Sequence, residues 1–209
     1  TKRAIKRSYS LSFFYTSFIL LCSYNIAEAQ EIVDSKNFDW GGRGNISLNY
    51  NLVQAINAEF VLETGVAYGW STLSILLSLE NLGRGSLVSV DMPFLGIKNE
   101  NDIGCVVPDY LRQKWNLIRY PDKEGIPMAI KMKRQFDFCH YDSDKSYEGK
   151  IWAFPVIWKS IKSGGILASD DISDNLGFKH FCDRQNIKPL IIKTFDTKVV
   201  KYVGIAVKP

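Results

Sequence analysis

The chain has 209 residues, of which 46% are hydrophobic and 23% charged, a composition typical of one globular domain and not of a disordered or fibrous protein. Its net charge of +4 is matched by four basic residues among the first seven, so the remainder carries equal numbers of basic and acidic residues. A nucleic-acid-binding domain needs basic side chains clustered on its folded surface. The sequence after the first seven residues shows no such cluster, so we do not expect nucleic acid as a partner.

The first 30 residues allow two interpretations. A basic start, an apolar centre and small residues at Ala27 and Ala29 have the outline of a secretory signal. The same stretch also fits an amphipathic helix that packs on the domain through apolar residues between 14 and 22. Its apolar centre is too short to cross a bilayer. We favour a packed N-terminal helical segment over residues 1–37.

The four cysteines are widely spaced and include no CxxC pair. This spacing indicates neither a zinc site nor a disulfide framework, and it fits a reducing compartment. We therefore expect a cytoplasmic protein, with export as the alternative if the N-terminus is a signal.

Strands and helices then alternate along the chain. A loop rich in Gly and Asn leads into a short helix predicted over 48–56. A strand is predicted over 60–64, a helix over 71–82 and a second strand over 86–91. The connection over 92–108 is long and contains no regular pattern.

The second half of the chain repeats the alternation up to its end. The remaining predicted elements are, in chain order, a helix near 110–115, strands over 116–120 and 136–142, a helix over 147–162 that stops at Gly164 and Gly165, a strand over 165–171, a helix over 176–184, and strands over 189–195 and 201–208.

This order predicts an α/β fold with a Rossmann-like, doubly wound seven-stranded sheet. Alternating strands and helices indicate parallel strands covered on both faces. The last two strands are joined by a link with no room for a helix, whereas a parallel return needs a crossover of about a dozen residues or more. The last strand should therefore be antiparallel, within a single domain over residues 38–209.

The corner after the first strand, in FVLETGVAYGWSTLSIL, combines a carboxylate with two glycines. Glu63 precedes Gly65 and Gly69, and Ser71 opens the next helix. In an open parallel sheet, ligands bind beyond the carboxyl ends of the strands. Glycine allows close approach of a ligand, and a helix start offers unpaired N–H groups. A carboxylate here would repel a pyrophosphate but attract an amino group and a sulfonium, which indicates S-adenosylmethionine.

Asp91 ends the second strand, where its carboxylate can accept both hydroxyls of a ribose, although NAD sites use the same device. The glycine spacing is GxxxG, with neither GxGxxG nor GK[ST]. This spacing favours S-adenosylmethionine. An NAD(P)-dependent oxidoreductase and a non-catalytic S-adenosylmethionine-binding module remain as alternatives.

The stretch VLETGVAYGWSTLSIL resembles the first motif of class I S-adenosylmethionine-dependent methyltransferases, in the form found in catechol O-methyltransferase, and SVDMP resembles their acidic second motif. The likeness covers about residues 38–207 and extends to bacterial families of the methyltransferase-24 type. It implies methyl transfer to a small-molecule or sugar hydroxyl. The short apolar N-terminal stretch predicts no stable membrane insertion, and a homodimer is left open. The implied cofactor contacts are Glu63, Gly65, Ala67, Tyr68, Gly69, Ser71, Thr72, Asp91, Met92, Asp122 and Asp142.

A second group of carboxylates follows the fourth and fifth predicted strands. Asp142 comes after the fourth strand, and Asp170 and Asp171 come after the fifth. Neighbouring strand ends lie about 5 Å apart, so these side chains should converge. Three carboxylates that close repel one another unless a cation neutralises them, and oxygen ligands suit Mg²⁺ or Ca²⁺. Alternatively, all three aspartates merely cap helices.

The resemblance to catechol O-methyltransferase implies roles for these residues. In that family a metal-binding Asp after the fourth strand is followed three residues later by a Lys that acts as general base, and Asp142 and Lys145 have this spacing. Asp170 and Asp171 stand where the family has Asp-Asn, so Asp171 adds a negative charge. The resemblance thus implies Mg²⁺ on Asp142, Asp170 and Asp171, with Lys145 or Asp144 as proton acceptor.

Four further residues have two interpretations each. His140, inside a predicted strand, is interpreted as a packed core residue and not as a catalyst. Asp122 either contacts the adenine or occupies an ordinary turn. Arg43 and Asn45 are interpreted as part of a flexible loop, and the alternative is that they close over the methionine end of the cofactor or over substrate.

Overall fold

The chain forms one seven-stranded sheet with helices on both faces in the computed structural model, which describes residues 26–93, 100–196 and 199–209. The strands are β1 (Phe60–Thr64), β2 (Ser86–Val90), β3 (Trp115–Ile118), β4 (Phe136–Tyr141), β5 (Ile161–Ser169), β6 (Leu190–Asp196) and β7 (Val199–Val207). The helices are α1 (residues 26–34), α2 (Ile46–Ala55), α3 (Trp70–Asn81), α4 (Asp109–Arg112), α5 (Asp122–Met132), α6 (Tyr147–Ser160) and α7 (Gly177–Gln185).

The strand order is β3-β2-β1-β4-β5-β7-β6, and this topology confirms the predicted fold class. The strands from β1 to β5 pair in parallel, whereas β7 runs antiparallel to both β5 and β6. The order reverses between β1 and β4, and a reversal of this kind opens a crevice at the carboxyl ends of the strands.

Two apolar cores lie on the two faces of the sheet. Residues that alternate along a strand point to opposite faces, so Val61 and Phe138 face α2 and α3 while Leu62 and Cys139 face the side of α5, α6 and α7. All four side chains are fully buried. The double cover explains why apolar residues occupy both faces of these strands.

The end of α6 differs from its prediction. The helix stops at Ser160, and Ile161 already pairs with Phe136 at the start of β5. The register then shifts, so that Ile166 pairs with Phe138. Gly164 has a φ of +78° inside this irregularity. The glycine pair therefore serves a bulge in the strand and does not terminate the helix.

Helix α5 was absent from the sequence prediction. It contains Gly125 and Pro127, both poor helix formers, which hid its pattern. Gly125 packs against Val90, and an added Cβ would overlap that side chain. Close packing on the sheet stabilises this helix against its weak intrinsic propensity.

The N-terminal segment is described only from residue 26. Ala29 in α1 is buried in the core with α2 and α3, and Ile26 and Val33 pack against that core. The apolar residues predicted to pack between 14 and 22 lie outside the described residues. Among the helices of the described ranges, none has the length and apolar character that a bilayer crossing requires.

Candidate functional site

A cavity of about 810 Å³ opens at the carboxyl ends of β1, β2, β4 and β5, and its size suits a small-molecule ligand. Both groups of residues singled out in the sequence contribute to its walls. The residues expected to contact the cofactor that line this cavity are Gly65, Ala67, Tyr68, Ser71, Asp91, Met92, Asp122 and Asp142. The strand ends and the loop after β4 also add Asp144, Lys145 and Asp170.

The corner between β1 and α3 is built around glycines with positive φ. Gly65 has a φ of +80°, and its N–H donates to the carbonyl oxygen of Val90 at 2.9 Å. A Cβ on Gly65 would lie 2.7 Å from the carbonyl carbon of Asp142, too close for any side chain. The absence of a side chain thus lets the ends of β1 and β4 approach each other, which places Asp142 beside the corner.

Glu63 lies behind this corner and outside the cavity lining. Its fully buried carboxylate accepts hydrogen bonds from the hydroxyls of Ser71 at 2.6 Å, Thr72 at 2.7 Å and Ser89 at 2.6 Å. Burial raises its pKa, although these bonds favour the ionised form. Glu63 and Thr72 therefore fix the start of α3. Together with Gly69 they lie outside the cavity lining, and their direct contact with the cofactor stays a prediction.

Asp91 faces the cavity from the end of β2 and is held by two partners. One carboxylate oxygen accepts from the Val66 N–H at 2.8 Å, and the other forms an ion pair with Arg119. Arg119 also contacts Glu100 at 2.8 and 2.9 Å. Burial raises the pKa of Asp91. The fixed carboxylate suits recognition of a ribose, and Arg119 is a positioning partner that the sequence analysis missed.

Tyr68 ties the glycine-rich loop to the same corner. Its hydroxyl donates to the carbonyl oxygen of Phe38 and accepts from the Trp40 N–H at 3.3 Å. Arg43, interpreted from the sequence as part of a flexible loop, donates to Gln30 at 2.7 Å. Together with Trp40 and Asn45, Arg43 lines the cavity. The loop therefore forms one wall of the cavity.

Asp122 is the first residue of α5 and not part of a plain turn. Its carboxylate accepts from the Ser143 hydroxyl at 2.6 Å and from the Tyr141 hydroxyl at 3.3 Å. Burial raises its pKa. Since Asp122 lines the cavity on the side of β2 and β3, it keeps the adenine-side interpretation that the sequence left open.

The carboxylates after β4 and β5 separate into two environments. Asp142 and Asp170 line the cavity, and Asp170 accepts from the Asn45 side chain at 2.9 Å. Asp171 lies outside the lining and is bound to lysine. Lys145 pairs with one of its oxygens, and the ammonium nitrogen of Lys201 lies 3.4 Å from the other.

The ionisation of this group follows from burial and charge. Burial, with repulsion from Asp142 and Asp171, raises the pKa of Asp170 to about 7. Burial disfavours the charge of Lys145, but attraction to Asp142 and Asp171 outweighs it and raises the Lys145 pKa. A lysine with a raised pKa is protonated at neutral pH and must first lose that proton before it can act as a base, so the role of Lys145 as general base stays a prediction.

The three aspartates as placed do not provide the oxygen ligands that Mg²⁺ requires. The carboxylate of Asp171 is already bound by two ammonium groups, and its side chain is outside the cavity. Within residues 26–93, 100–196 and 199–209, no group of three or more His, Cys, Asp or Glu side chains converges in the manner of a metal site. The donor set therefore does not fit the expected metal, and we derive no catalytic step through one.

Two buried polar residues belong to the cavity wall: Asn49, which the sequence analysis does not name, and His140, which it interprets as a packed core residue. Asn49 is 1% and His140 3% exposed, and both line the cavity. The Asn49 amide nitrogen and the His140 Nδ1 have no hydrogen-bond partner among the described residues. Asn49 occupies the apolar face of α2 with Ile46 and Val53, and a polar residue at such a position was the available signal.

Asp170 should make the stability of the protein depend on pH. In the unfolded chain an Asp titrates near pH 4, whereas Asp170 in the folded protein holds its proton up to about pH 7. The folded state binds more protons in this window, so the contribution of Asp170 to stability falls as pH rises from about 4 to about 7.

We therefore expect Asp170→Asn to raise Tm relative to the wild type at pH 8, and to raise it only about a third as much at pH 5. The gain is at most about 4 kcal/mol, because one pKa unit corresponds to about 1.4 kcal/mol. Thermal unfolding followed by circular dichroism measures it. Asp109→Asn, at a fully exposed side chain, is the control and should show no such difference. An equal effect of Asp170→Asn at both pH values would contradict the assignment.

Comparisons with known proteins agree with this geometry. The methyltransferase-24 family model, described as a methyltransferase domain, matches residues 62–172, which is more than half of the chain. The tapetum-specific methyltransferase 1 of Arabidopsis thaliana is 25% identical over 154 residues, which cover 72% of this chain and 61% of that protein. A second Arabidopsis thaliana protein, named provisionally as a caffeoyl-CoA O-methyltransferase, is 28% identical over 149 residues, which cover 70% of this chain and 56% of that protein.

Solved structures share the fold. The O-methyltransferase from Bacillus cereus, solved in complex with S-adenosylhomocysteine, superposes with a TM-score of 0.68 at 16% identity, covering 94% of this chain and 97% of that one. The sheet order, the antiparallel last strand and the family match lead to one conclusion. The chain belongs to the methyltransferase-24 family of class I S-adenosylmethionine-dependent methyltransferases.

Proposed function

We propose that this chain transfers the methyl group of S-adenosylmethionine to a hydroxyl oxygen of a small molecule. The observation that carries the proposal is the single cavity that joins the glycine corner and Asp91 to the acidic ends of β4 and β5. A nucleoside and an acceptor must share one space for direct transfer. The chain spans about six tenths of the length of the Arabidopsis relatives it matches, and their names support the choice of a methyltransferase.

The reaction requires little covalent chemistry from the protein. The acceptor oxygen gives an electron pair to the sulfonium methyl carbon, the carbon–sulfur bond breaks, and its electron pair stays on sulfur to leave neutral S-adenosylhomocysteine. The hydroxyl proton passes to Asp144, which lines the cavity, or to water at its mouth. Most of the acceleration then comes from holding oxygen and methyl group in line.

The cavity residues divide between the two ligands. Asp91 would accept the ribose hydroxyls, and Asp122 and Met92 lie where the adenine would extend. Gly65 and Ser71 leave room and polar groups for the methionine end. Asp142 and Lys145 would face the acceptor, whose oxygen must reach the sulfonium from the ends of β4 and β5.

The sequence allows two other functions. A nicotinamide-dependent oxidoreductase has no support in the family match. A module that binds S-adenosylmethionine without turnover has the same cavity and differs only in activity. The metal-assisted form of methyl transfer is not proposed, because Asp171 is bound by lysines. A cytoplasmic location is kept as a proposal, supported by free thiols at Cys105, Cys139 and Cys182.

Ligand binding tests the first part of the proposal. S-adenosylmethionine and S-adenosylhomocysteine at saturation should raise the Tm of the full chain, because a ligand present at about 100 times its Kd adds about 2.7 kcal/mol to the stability of the folded state. NAD and NADP at the same concentrations serve as controls and should leave Tm unchanged. A shift with NAD alone would overturn the proposal in favour of the oxidoreductase.

Turnover tests the second part. Incubation with S-adenosylmethionine labelled in its methyl group and a panel of phenols, catechols and glycosides should yield labelled products, which mass spectrometry identifies as ethers. Label found on a carbon atom of a panel compound, and not on a hydroxyl oxygen, would contradict O-methylation. If the chain binds S-adenosylmethionine but transfers its methyl group neither to a panel compound nor to any component of a host extract, the non-catalytic module is favoured.

A further inference from the structure

Lysines from three elements surround the carboxylates at the ends of β4 and β5. The Lys145 ammonium pairs with Asp171 and lies 3.3 Å from an oxygen of Asp142. Lys201 on β7 lies 3.4 Å from Asp171, and the buried Lys150 on α6 donates to the Asp171 carbonyl oxygen at 2.7 Å. Three ammonium groups thus accompany the three carboxylates of this end of the cavity.

The cluster carries its own positive charge, because the ammonium groups of Lys145 and Lys201 lie within ion-pair distance of its carboxylates. Buried carboxylates repel one another strongly unless opposite charge lies close. The sequence alone left a metal as the source of that charge, whereas the structure supplies it from side chains. An ammonium group is a compact point charge with three donors, so it can hold two carboxylates and still have a donor free for a third group.

Lys145 is the lysine of this cluster that lines the cavity, so its ammonium group is the one that a ligand in the cavity would contact. Its side chain is 47% exposed and lines the cavity, whereas Lys150 is 1% exposed and Lys201 is not part of the lining. Its ammonium is hydrogen-bonded to Asp171, which does not line the cavity, and lies 3.3 Å from Asp142 Oδ1, a buried cavity oxygen that makes no hydrogen bond to the described residues. Lys145 therefore stands between the two strand ends, in the position expected for a divalent cation.

We propose that the ammonium group of Lys145 replaces a divalent cation in this protein, by bridging Asp142 and Asp171 and binding the acceptor oxygen as that oxygen loses its proton. Binding of the acceptor oxygen by Lys145 rests on the proposed function. The bridging of Asp142 and Asp171 does not, because it needs only the folded chain. The protein accordingly works without a metal ion, and the aspartates accept one only when the ammonium is removed.

Metal binding by the full chain tests this directly. Titration with Mn²⁺, followed by calorimetry and by electron paramagnetic resonance, should show no saturable binding to the wild type at millimolar concentrations. Lys145→Ala frees oxygens of Asp142 and Asp171 and should show saturable Mn²⁺ binding over the same concentration range. Adding Asp142→Asn to Lys145→Ala should abolish the gained binding.

Two matched variants separate the bridging ammonium from simple loss of charge. Lys201→Ala removes the other ammonium from Asp171 but leaves Lys145 in place, and Lys145→Arg keeps a cation at the bridge. Both should resemble the wild type in lacking saturable Mn²⁺ binding. Circular dichroism and Tm establish that each variant is folded, and Lys145→Gln replaces Lys145→Ala if the latter is not.

The outcomes decide the proposal independently of methyl transfer. Saturable Mn²⁺ binding by the wild type that Asp142→Asn abolishes would overturn it, and so would a folded Lys145→Ala that gains no binding. The affinity for S-adenosylhomocysteine is measured on the same samples. If the wild type does not bind S-adenosylhomocysteine, the proposed function is contradicted, but the result of the Mn²⁺ titration still decides the proposal on Lys145.

Discussion

Replacing Gly65 by Ala should abolish binding of S-adenosylhomocysteine and lower Tm by roughly 6–12 °C, for a destabilisation of about 3 kcal/mol. Two penalties add at this position. The backbone has a φ of +80°, which costs an L-residue about 1–2 kcal/mol. The new Cβ would also lie 2.7 Å from the carbonyl carbon of Asp142, and such overpacking costs about 1–3 kcal/mol. Relief of the clash pushes β4 away from the corner.

Gly83→Ala is the matched control for this substitution. Gly83 has a φ of +67°, but nothing lies within 4 Å of the position its Cβ would take. This variant therefore carries the backbone penalty alone, about 1–2 kcal/mol, and should bind S-adenosylhomocysteine like the wild type. Calorimetric titration and thermal unfolding compare the two. Equal effects of both substitutions would mean that the contact between Gly65 and Asp142 does not shape the cavity.

The Asp91→Asn variant should bind S-adenosylhomocysteine about 10–100 times more weakly than the wild type, since a hydrogen bond to a charged group contributes about 1.5–3 kcal/mol. The amide keeps one oxygen for the Val66 N–H. It loses the negative charge and one of the two acceptors that a ribose diol requires. Calorimetry measures the affinity, and Tm reports any accompanying loss of stability.

Glu100→Gln provides the comparison, because Glu100 is the other carboxylate partner of Arg119. Its side chain is 52% exposed, so the pair with Arg119 contributes only about 0–1 kcal/mol. We expect the affinity of this variant for S-adenosylhomocysteine to match that of the wild type. If Asp91→Asn bound equally well, the ribose would have to lie elsewhere in the cavity.

The predicted elements agree with the structure where a local pattern controls them. The strand over Phe60–Thr64 has the same bounds in prediction and structure, because its buried apolar run is bordered by turn residues. Helix α5 escaped prediction, because its contacts with the sheet outweigh the weak propensity of Gly125 and Pro127. The sequence predicts a helix end at Gly164 and Gly165, because the register shift that these glycines allow in β5 has no signal in the local sequence.

The site residues divide in a similar way. The carboxylates at strand ends were identifiable, since parallel strands place their carboxyl ends at one edge. Whether a carboxylate points into the cavity depends on its partners. Glu63 accepts from Ser89 and Asp171 pairs with Lys201, and both partners are distant in the sequence. Asn49 on α2 and His140 on β4 both line the cavity although they lie far apart in the chain, and no motif encodes that placement.

From the sequence by itself came the order of strands and helices, the antiparallel end of the sheet and the glycine corner, because these depend on residues close together in the chain. Only the tertiary structure decided which charges meet. Lys145, Lys150 and Lys201 reach Asp171 from separate elements. Coulomb energies depend on distances through space, and burial strengthens them, so the source of the positive charge beside these carboxylates could be known only after folding.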